Sequence, residues 1–148
     1  MTYSERLKVP AWWLVIAVGF IASLAVAVFA YLPVYEAALL CGFGSLALLL
    51  GLFGYSRTRL TVDASAFSAG RYRLETAYIA KAEALQGSEA VAAIGPQADH
   101  RAFLFTRPFV KDLVRVTLAD PIDPHPYWLV STRRPVELAA AIESVRAA

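Results

Sequence analysis

The 148 residues contain a single cysteine, Cys41, so no disulfide can form within one chain and no zinc site can be assembled from thiolates. Cys41 lies inside an apolar run, where a small packing residue is the plainest role. Charge is nearly missing from the first third of the chain: between Lys8 and Arg57 the only charged residue is Glu36. A basic stripe is also missing. All of the 14 Lys/Arg except Arg6 and Lys8, and all of the 12 Asp/Glu except Glu5 and Glu36, fall from Arg57 onward with the signs interspersed. A net charge of +2 spread in this way predicts no nucleic-acid partner, which would need clustered cations.

What the chain has in excess is apolar sequence. It is 58% hydrophobic with a mean hydropathy of +0.52, whereas soluble domains run at about 45–50% apolar. The excess sits in two stretches, 11–32 and 37–54. Each is close to the roughly 20 residues that a helix needs to cross a bilayer core. Pro33 to Glu36 is too short a link for anything but a helical hairpin. Trp12 and Trp13, Tyr31 and Tyr35, and Tyr55 fall where headgroup-level aromatics belong. Arg6 and Lys8 precede the first stretch, Arg57 and Arg59 follow the second, and the turn carries only Glu36. The positive-inside rule then places both termini in the cytoplasm of a multi-pass protein of the cell membrane. A cleaved signal peptide is the competing reading, but the first stretch exceeds a 7–15-residue h-region and a second follows at once. Neither stretch contains an ionisable acid or base of the kind that ion paths and proton relays use, which argues against a channel or transporter. Gly19, Ser23 and Ala27, with Ala38, Gly42 and Leu46, recur at every fourth position, with Ser45 beside them; Ala27 and Cys41 lie equally far from the turn, as do Ser23 and Ser45. Such a pattern suits close helix packing within the hairpin, with self-association through the same stripe as the alternative.

Residues 1–56 are therefore read as an N-terminal flank and membrane hairpin, and 57–148 as a cytoplasmic soluble domain. In that domain Arg59–Val62 predicts a short strand. Residues 66–69 and 71–74 predict a hairpin about Gly70. Residues 78–85 are open between helix, by their Ala, Glu and Lys content, and strand, by their setting. Residues 86–100 predict a polar loop. Residues 102–106, 113–118 and 127–131 predict strands from aromatic content and alternation. A final helix is expected from Thr132, with Thr132 as N-cap, Pro135 in the first turn and Leu138, Ala139, Ile142 and Val145 on its apolar face. The sum is a small α+β domain: an antiparallel sheet or partial barrel closed by a C-terminal helix.

Two groups of residues are unusual enough to suggest kinship. One is Tyr3-Ser4-Glu5-Arg6-Leu7 followed by Val9-Pro10 and Trp12-Trp13. The other is Arg107-Pro108, Asp120-Pro121, Asp123-Pro124, Pro126-Tyr127-Trp128 and Ser131-Thr132-Arg133-Arg134-Pro135. On these the chain resembles an actinobacterial membrane-protein family of unknown function, DUF3093, over nearly its whole length. The resemblance implies a membrane protein and carries no activity. The layout is also similar to that of bacterial pleckstrin-homology-like membrane proteins, in which a two-span hairpin precedes a seven-stranded sheet capped by a helix.

Candidate chemistry is sparse. Asp120, Asp123 and His125 are donors of the kinds metals take, yet each Asp precedes a proline and reads as a turn former. No metal or other cofactor is expected, and no general acid–base pair, since nothing orients the two carboxyls. Arg133 and Arg134 open the last helix. The favoured reading pairs them with Asp120 or Asp123. The alternative has them hold an anionic headgroup together with Arg57 and Arg59. Tyr127 and Trp128 alternate in a strand, so one should face the core and the other serve as an aromatic contact beside Arg. His100 reads as a loop residue, and Ser131 lacks the setting of a nucleophile. The expected function is a non-enzymatic, membrane-anchored interaction or scaffold module. Its partners would be the lipid bilayer and another membrane or envelope protein, with homo-oligomers open. Recognition of anionic lipid or phosphate headgroups at the cytoplasmic face is the alternative, and an enzyme is the least favoured class.

Overall fold

The computed structural model describes residues 3–55, 58–120 and 122–147. They form two compact units. One is the helical hairpin, residues 8–55, and the other joins residues 3–7 to everything from Thr58 onward.

In the hairpin, α1 (Ala11–Tyr31) and α2 (Val34–Tyr55) are joined by Leu32 and Pro33 alone. Proline cannot continue α1, but its carbonyl accepts from Ala37 N at 2.9 Å and so opens α2. The second helix thus begins three residues before the sequence boundary at 37. Both helices are long and apolar enough to cross a membrane. No residue of α1 is buried, and Ala37 is the only buried residue of α2. The half-buried positions are Trp13, Ala17, Ile21, Ala25 and Val28 on α1, with Cys41, Ser45 and Leu52 on α2. The hairpin therefore packs along a face that includes Cys41 and Ser45, as expected, but not the fourfold stripe itself. Gly19, Ser23, Ala27, Ala38, Gly42 and Leu46 are all exposed, and a Cβ added at Gly19 or Gly42 would meet nothing within 4 Å. Fourfold spacing identified a stripe of small residues but could not say which stripe meets the neighbour.

The second unit holds two four-stranded sheets. The first has the order β1-β2-β3-β4, from β1 (Tyr3–Arg6), β2 (Arg59–Val62), β3 (Ala66–Ala69) and β4 (Tyr72–Glu75), antiparallel throughout. A 3-10 turn at Thr76–Tyr78 leads to β5 (Ile79–Leu85). The second sheet has the order β5-β7-β8-β6, with β6 (Phe103–Phe105), β7 (Leu113–Leu118) and β8 (Tyr127–Ser131). α3 (Gly87–Ile94) follows β5, and α4 (Pro135–Arg146) closes the chain against β5, β7 and β2.

Register sorts the first sheet into faces. Tyr3, Val62, Phe67 and Leu74 lie across from one another and are all buried. The adjacent row, Ser4, Thr61, Ser68 and Arg73, faces away from them. The inner row meets Val114, Val116 and Val130 of the second sheet and Leu138 and Ile142 of α4 in one core.

Four expectations need correction. β1 lies in what was read as the flank of the hairpin. Residues 86–100 are not all loop, since α3 buries Ala90 and Ala93. β6 runs parallel to β8, so the second sheet is mixed. Thr132 is not the N-cap of α4, which is Arg134; the Thr132 hydroxyl instead accepts from Arg134 N at 3.1 Å. The open segment 78–85 forms a strand, because placing Ile79, Ala82 and Ala84 in the core against β7 outweighs the helical bias of Ala, Glu and Lys.

Candidate functional site

The two groups of unusual residues meet at Glu5. Along β1 and the residue after it, Tyr3, Glu5 and Leu7 point inward and alternate with exposed Ser4 and Arg6. Glu5 is only 5% exposed, and its carboxyl accepts from three donors: the Tyr3 hydroxyl at 2.8 Å, the Thr132 hydroxyl at 2.5 Å and Arg133 N at 2.9 Å. A buried carboxyl is tolerable only when it is satisfied in this way. Burial, reinforced by the neighbouring Glu5, pushes the Tyr3 phenol up to about 12, against the opposing influence of the Thr132 hydrogen bond and Arg134. The Arg134 guanidinium lies over the Tyr3 ring, 5.4 Å from its centroid. This cluster fastens the first strand to the segment before α4.

The partners seen for Asp120, Asp123 and Arg134 among the described residues are other than the predicted ones. Asp120 accepts from Ile122 N at 2.9 Å, and Asp123 from both His125 N at 2.8 Å and His125 Nδ1 at 2.7 Å. The backbone donor of His125 is the main cause that holds the Asp123 carboxyl below its usual range. Both carboxyls thus close local turns, as Asp before Pro does. Arg134 reaches Glu137 at 3.1 Å, one turn along its own helix. Arg59 stands opposite Arg6 in register, exposed, on the other side of the sheet from Glu5. Of the four arginines singled out for anion binding, the three described ones are not gathered in one place: Arg133 and Arg134 border Glu5 and Arg59 is on the outer face, while Arg57 lies outside the described residues.

Of the aromatic pair, Trp128 faces the core at 7% exposure and packs 4.5 Å from Phe103. Tyr127 is half-buried rather than free: its hydroxyl accepts from Asp99 N at 3.0 Å, and Arg115 lies over its ring at 5.2 Å. It secures the 95–102 segment, and the arginine beside it comes from β7.

A different pair of arginines does converge. Where β3 turns into β4, Gly70 adopts φ +62° and Arg71 follows. Beyond β6, Arg107 N donates to Ser131 Oγ at 2.9 Å, and Arg107 Nη2 donates to Thr58 Oγ1 at 3.0 Å. Between them lies a groove of about 460 Å³ lined by Thr58, Gly70, Arg71, Tyr72, Phe103, Leu104, Phe105 and Arg107. Each guanidinium rests on a ring, Arg71 at 5.0 Å from Tyr72 and Arg107 at 4.7 Å from Phe105, and among the described residues the lining contains no carboxylate. The groove floor is tight, since a Cβ on Gly70 would come within 3.2 Å of Phe105 Cζ. Sequence reasoning missed this site because Arg71 and Arg107 are far apart in the chain. The signals present were Gly70 at a hairpin turn and Arg107-Pro108, read there only as part of the motif group that suggests kinship.

No curated protein and no solved structure matches the chain. The family's sequence model does match, from residue 2 to residue 142. On that match, which contains both motif groups that meet at Glu5, the chain belongs to the family described as proteins of unknown function, DUF3093.

Proposed function

We propose that this protein is a membrane-anchored interaction module: α1 and α2 span the cell membrane as a hairpin, both termini face the cytoplasm, and the two-sheet domain is displayed to a second membrane or envelope protein. One observation carries the reading. α1 is 21 residues long, without a charged residue, and leaves none of them buried, which in water would expose far more contiguous apolar surface than soluble proteins present. The stack of two sheets closed by α4 supports the pleckstrin-homology-like layout as the frame of the domain. Val91 and Ile94, three positions apart on α3 and both exposed, offer an apolar contact for the partner.

The test is extraction and labelling. Membranes from cells expressing the full chain should retain it through alkaline carbonate. In a Cys41→Ser background, a cysteine at Val34 should react with an impermeant thiol reagent in intact cells, and one at Ala147 should not. Release by carbonate refutes the anchor, and the reverse labelling pattern refutes the orientation. Crosslinking in native membranes with mass spectrometry then identifies the partner, and recovery of the chain with no stoichiometric companion refutes the scaffold role.

A second reading, recognition of anionic headgroups, is favoured by charge placement. Leu7 N donates to Thr58 O at 3.0 Å, so the chain leaves for the hairpin and returns from it at one end of the domain. At that end of the first sheet stand Arg6, Arg59 and Arg71, while Asp63 and Glu75 fall at the opposite end. Cations near a membrane surface are attracted by anionic lipid.

A further inference from the structure

We propose that the groove between Arg71 and Arg107 is a binding site for a phosphate group, with the aromatic wall beside it taking the apolar part of the molecule that carries the phosphate. The inference rests on the second reading above and gives it a location that none of the sequence-derived arginines supplied.

The chemistry of the lining selects the ligand. The Arg71 guanidinium offers a planar fork of N–H donors, which matches phosphate oxygens bidentately, and Arg107, held in place through its bonds to Thr58 Oγ1 and Thr106 O, adds a second positive charge. Arg71 has no ion-pair partner among the described residues; its Nη2 donates to the Tyr72 hydroxyl at 2.9 Å and the rest of the fork is exposed to the groove mouth. The Thr58 hydroxyl, already fixed to Arg107 at 3.0 Å, adds a further hydrogen-bonding group. Among the described residues no carboxylate lines the groove to compete for the cations. Both guanidiniums rest on aromatic rings, which restrains their rotamers and lowers the entropy lost on binding. Gly70 admits the ligand where any side chain would crowd Phe105. A bare metal cation is excluded by charge, and a purely apolar ligand would bury cationic surface without offering it an acceptor.

The phosphate could belong to a lipid headgroup or to a soluble molecule, and the test separates these. The full chain, purified in non-ionic detergent, is titrated calorimetrically with dihexanoyl phosphatidic acid, with dihexanoyl phosphatidylcholine and with inorganic phosphate. Binding of phosphatidic acid that weakens with added salt, together with little heat from phosphatidylcholine, supports the site with a lipid as its source. Equal affinity for inorganic phosphate and phosphatidic acid supports the site with a soluble phosphate as its source. Arg71→Gln, at an exposed position, should leave the melting temperature unchanged and weaken binding about tenfold or more, the loss expected for one charge-assisted contact. Arg107→Gln should weaken binding at least as much, and because Arg107 also bonds Thr58, Arg71→Gln decides the matter if the Arg107 variant does not fold. No binding by any of the three, or binding unchanged in Arg71→Gln, overturns the proposal. Loss in Arg134→Gln in place of Arg71→Gln moves the site to the start of α4 and overturns it equally. Carbonate release of a chain that still binds phosphate would refute the anchor and leave this site standing.

Discussion

Glu5 and Thr132 are 127 positions apart, and the Thr132 hydroxyl donates to the Glu5 carboxyl at 2.5 Å. Arg133 N and the Tyr3 hydroxyl donate to the same carboxyl, so one side chain near the start of the chain satisfies three groups, two of them just ahead of the last helix. Glu5→Gln offers a single acceptor oxygen in place of two and turns an NH2 toward groups that are themselves donors. It should cost about 1–3 kcal/mol, the usual penalty for buried polar groups left unpaired. By contrast, Arg134→Ala breaks an exposed pair with Glu137 and should cost about 0–1 kcal/mol. Thermal melts of the two variants test the ranking, and an Arg134 loss that matches or exceeds the Glu5 loss would show that the anchor point has been misplaced.

A chain that begins at Thr58 lacks β1 and should be much less stable than the domain in its full context. Leu7 is fully buried, and burying a Leu side chain contributes about 1.5–3 kcal/mol. The Glu5 cluster is lost with it, and β2 becomes an unprotected sheet edge. Adding a synthetic peptide of residues 1–8 should slow amide hydrogen exchange in β2. Equal melting temperatures with and without residues 1–8 would contradict the role of β1.

Gly70→Ala and Gly87→Ala form a matched pair. Both positions have positive φ, +62° and +54°, so each substitution carries a backbone cost of roughly 1–2 kcal/mol. At Gly87 the new methyl meets nothing within 4 Å, whereas at Gly70 it meets the Phe105 ring at 3.2 Å. Gly70→Ala should therefore destabilise more, and the difference between the two melts reports how rigidly Phe105 is held at the groove. Identical losses would mean that the ring yields freely.

Much of the fold is legible from residues alone. β7 alternates along Leu113–Leu118, β8 and the hairpin at Gly70 carry aromatic and turn signals, and α4 has its apolar face. What stays hidden depends on partners distant in the chain. Tyr3–Arg6 is four residues long, stands next to a long apolar run, and becomes a strand only through pairing with Arg59–Val62. α3 buries only Ala90 and Ala93 between two glycines, too weak an amphipathic signal to rise above a loop. Strand direction has no local signature, so β6 could not be read as parallel. The arginines were grouped by sequence proximity, which put Arg133 with Arg134 but could not bring Arg71 to Arg107.

Acid should weaken the junction between α4 and β5 through Glu143. Its Oε1 accepts from Ala82 N at 2.6 Å, and its Oε2 pairs with Arg146 at 2.7 Å. Burial works to raise its pKa, but the Ala82 donor and Arg146 outweigh it and hold the carboxyl below the usual 4.5. A carboxyl whose folded pKa lies below its unfolded value contributes stability that is fully present above the unfolded value. That stability is lost as pH falls through the folded value. The window for this group therefore opens near pH 4.5 and extends below it. Glu143→Gln keeps an oxygen for Ala82 N and removes the charge, so it mimics the protonated state at every pH. Wild type should melt above this variant at pH 7, and the gap should narrow as the pH is lowered through 4. A gap that holds constant or widens in acid would show that Glu143 gains nothing from its charge, and that the Ala82 hydrogen bond alone joins the helix to the strand.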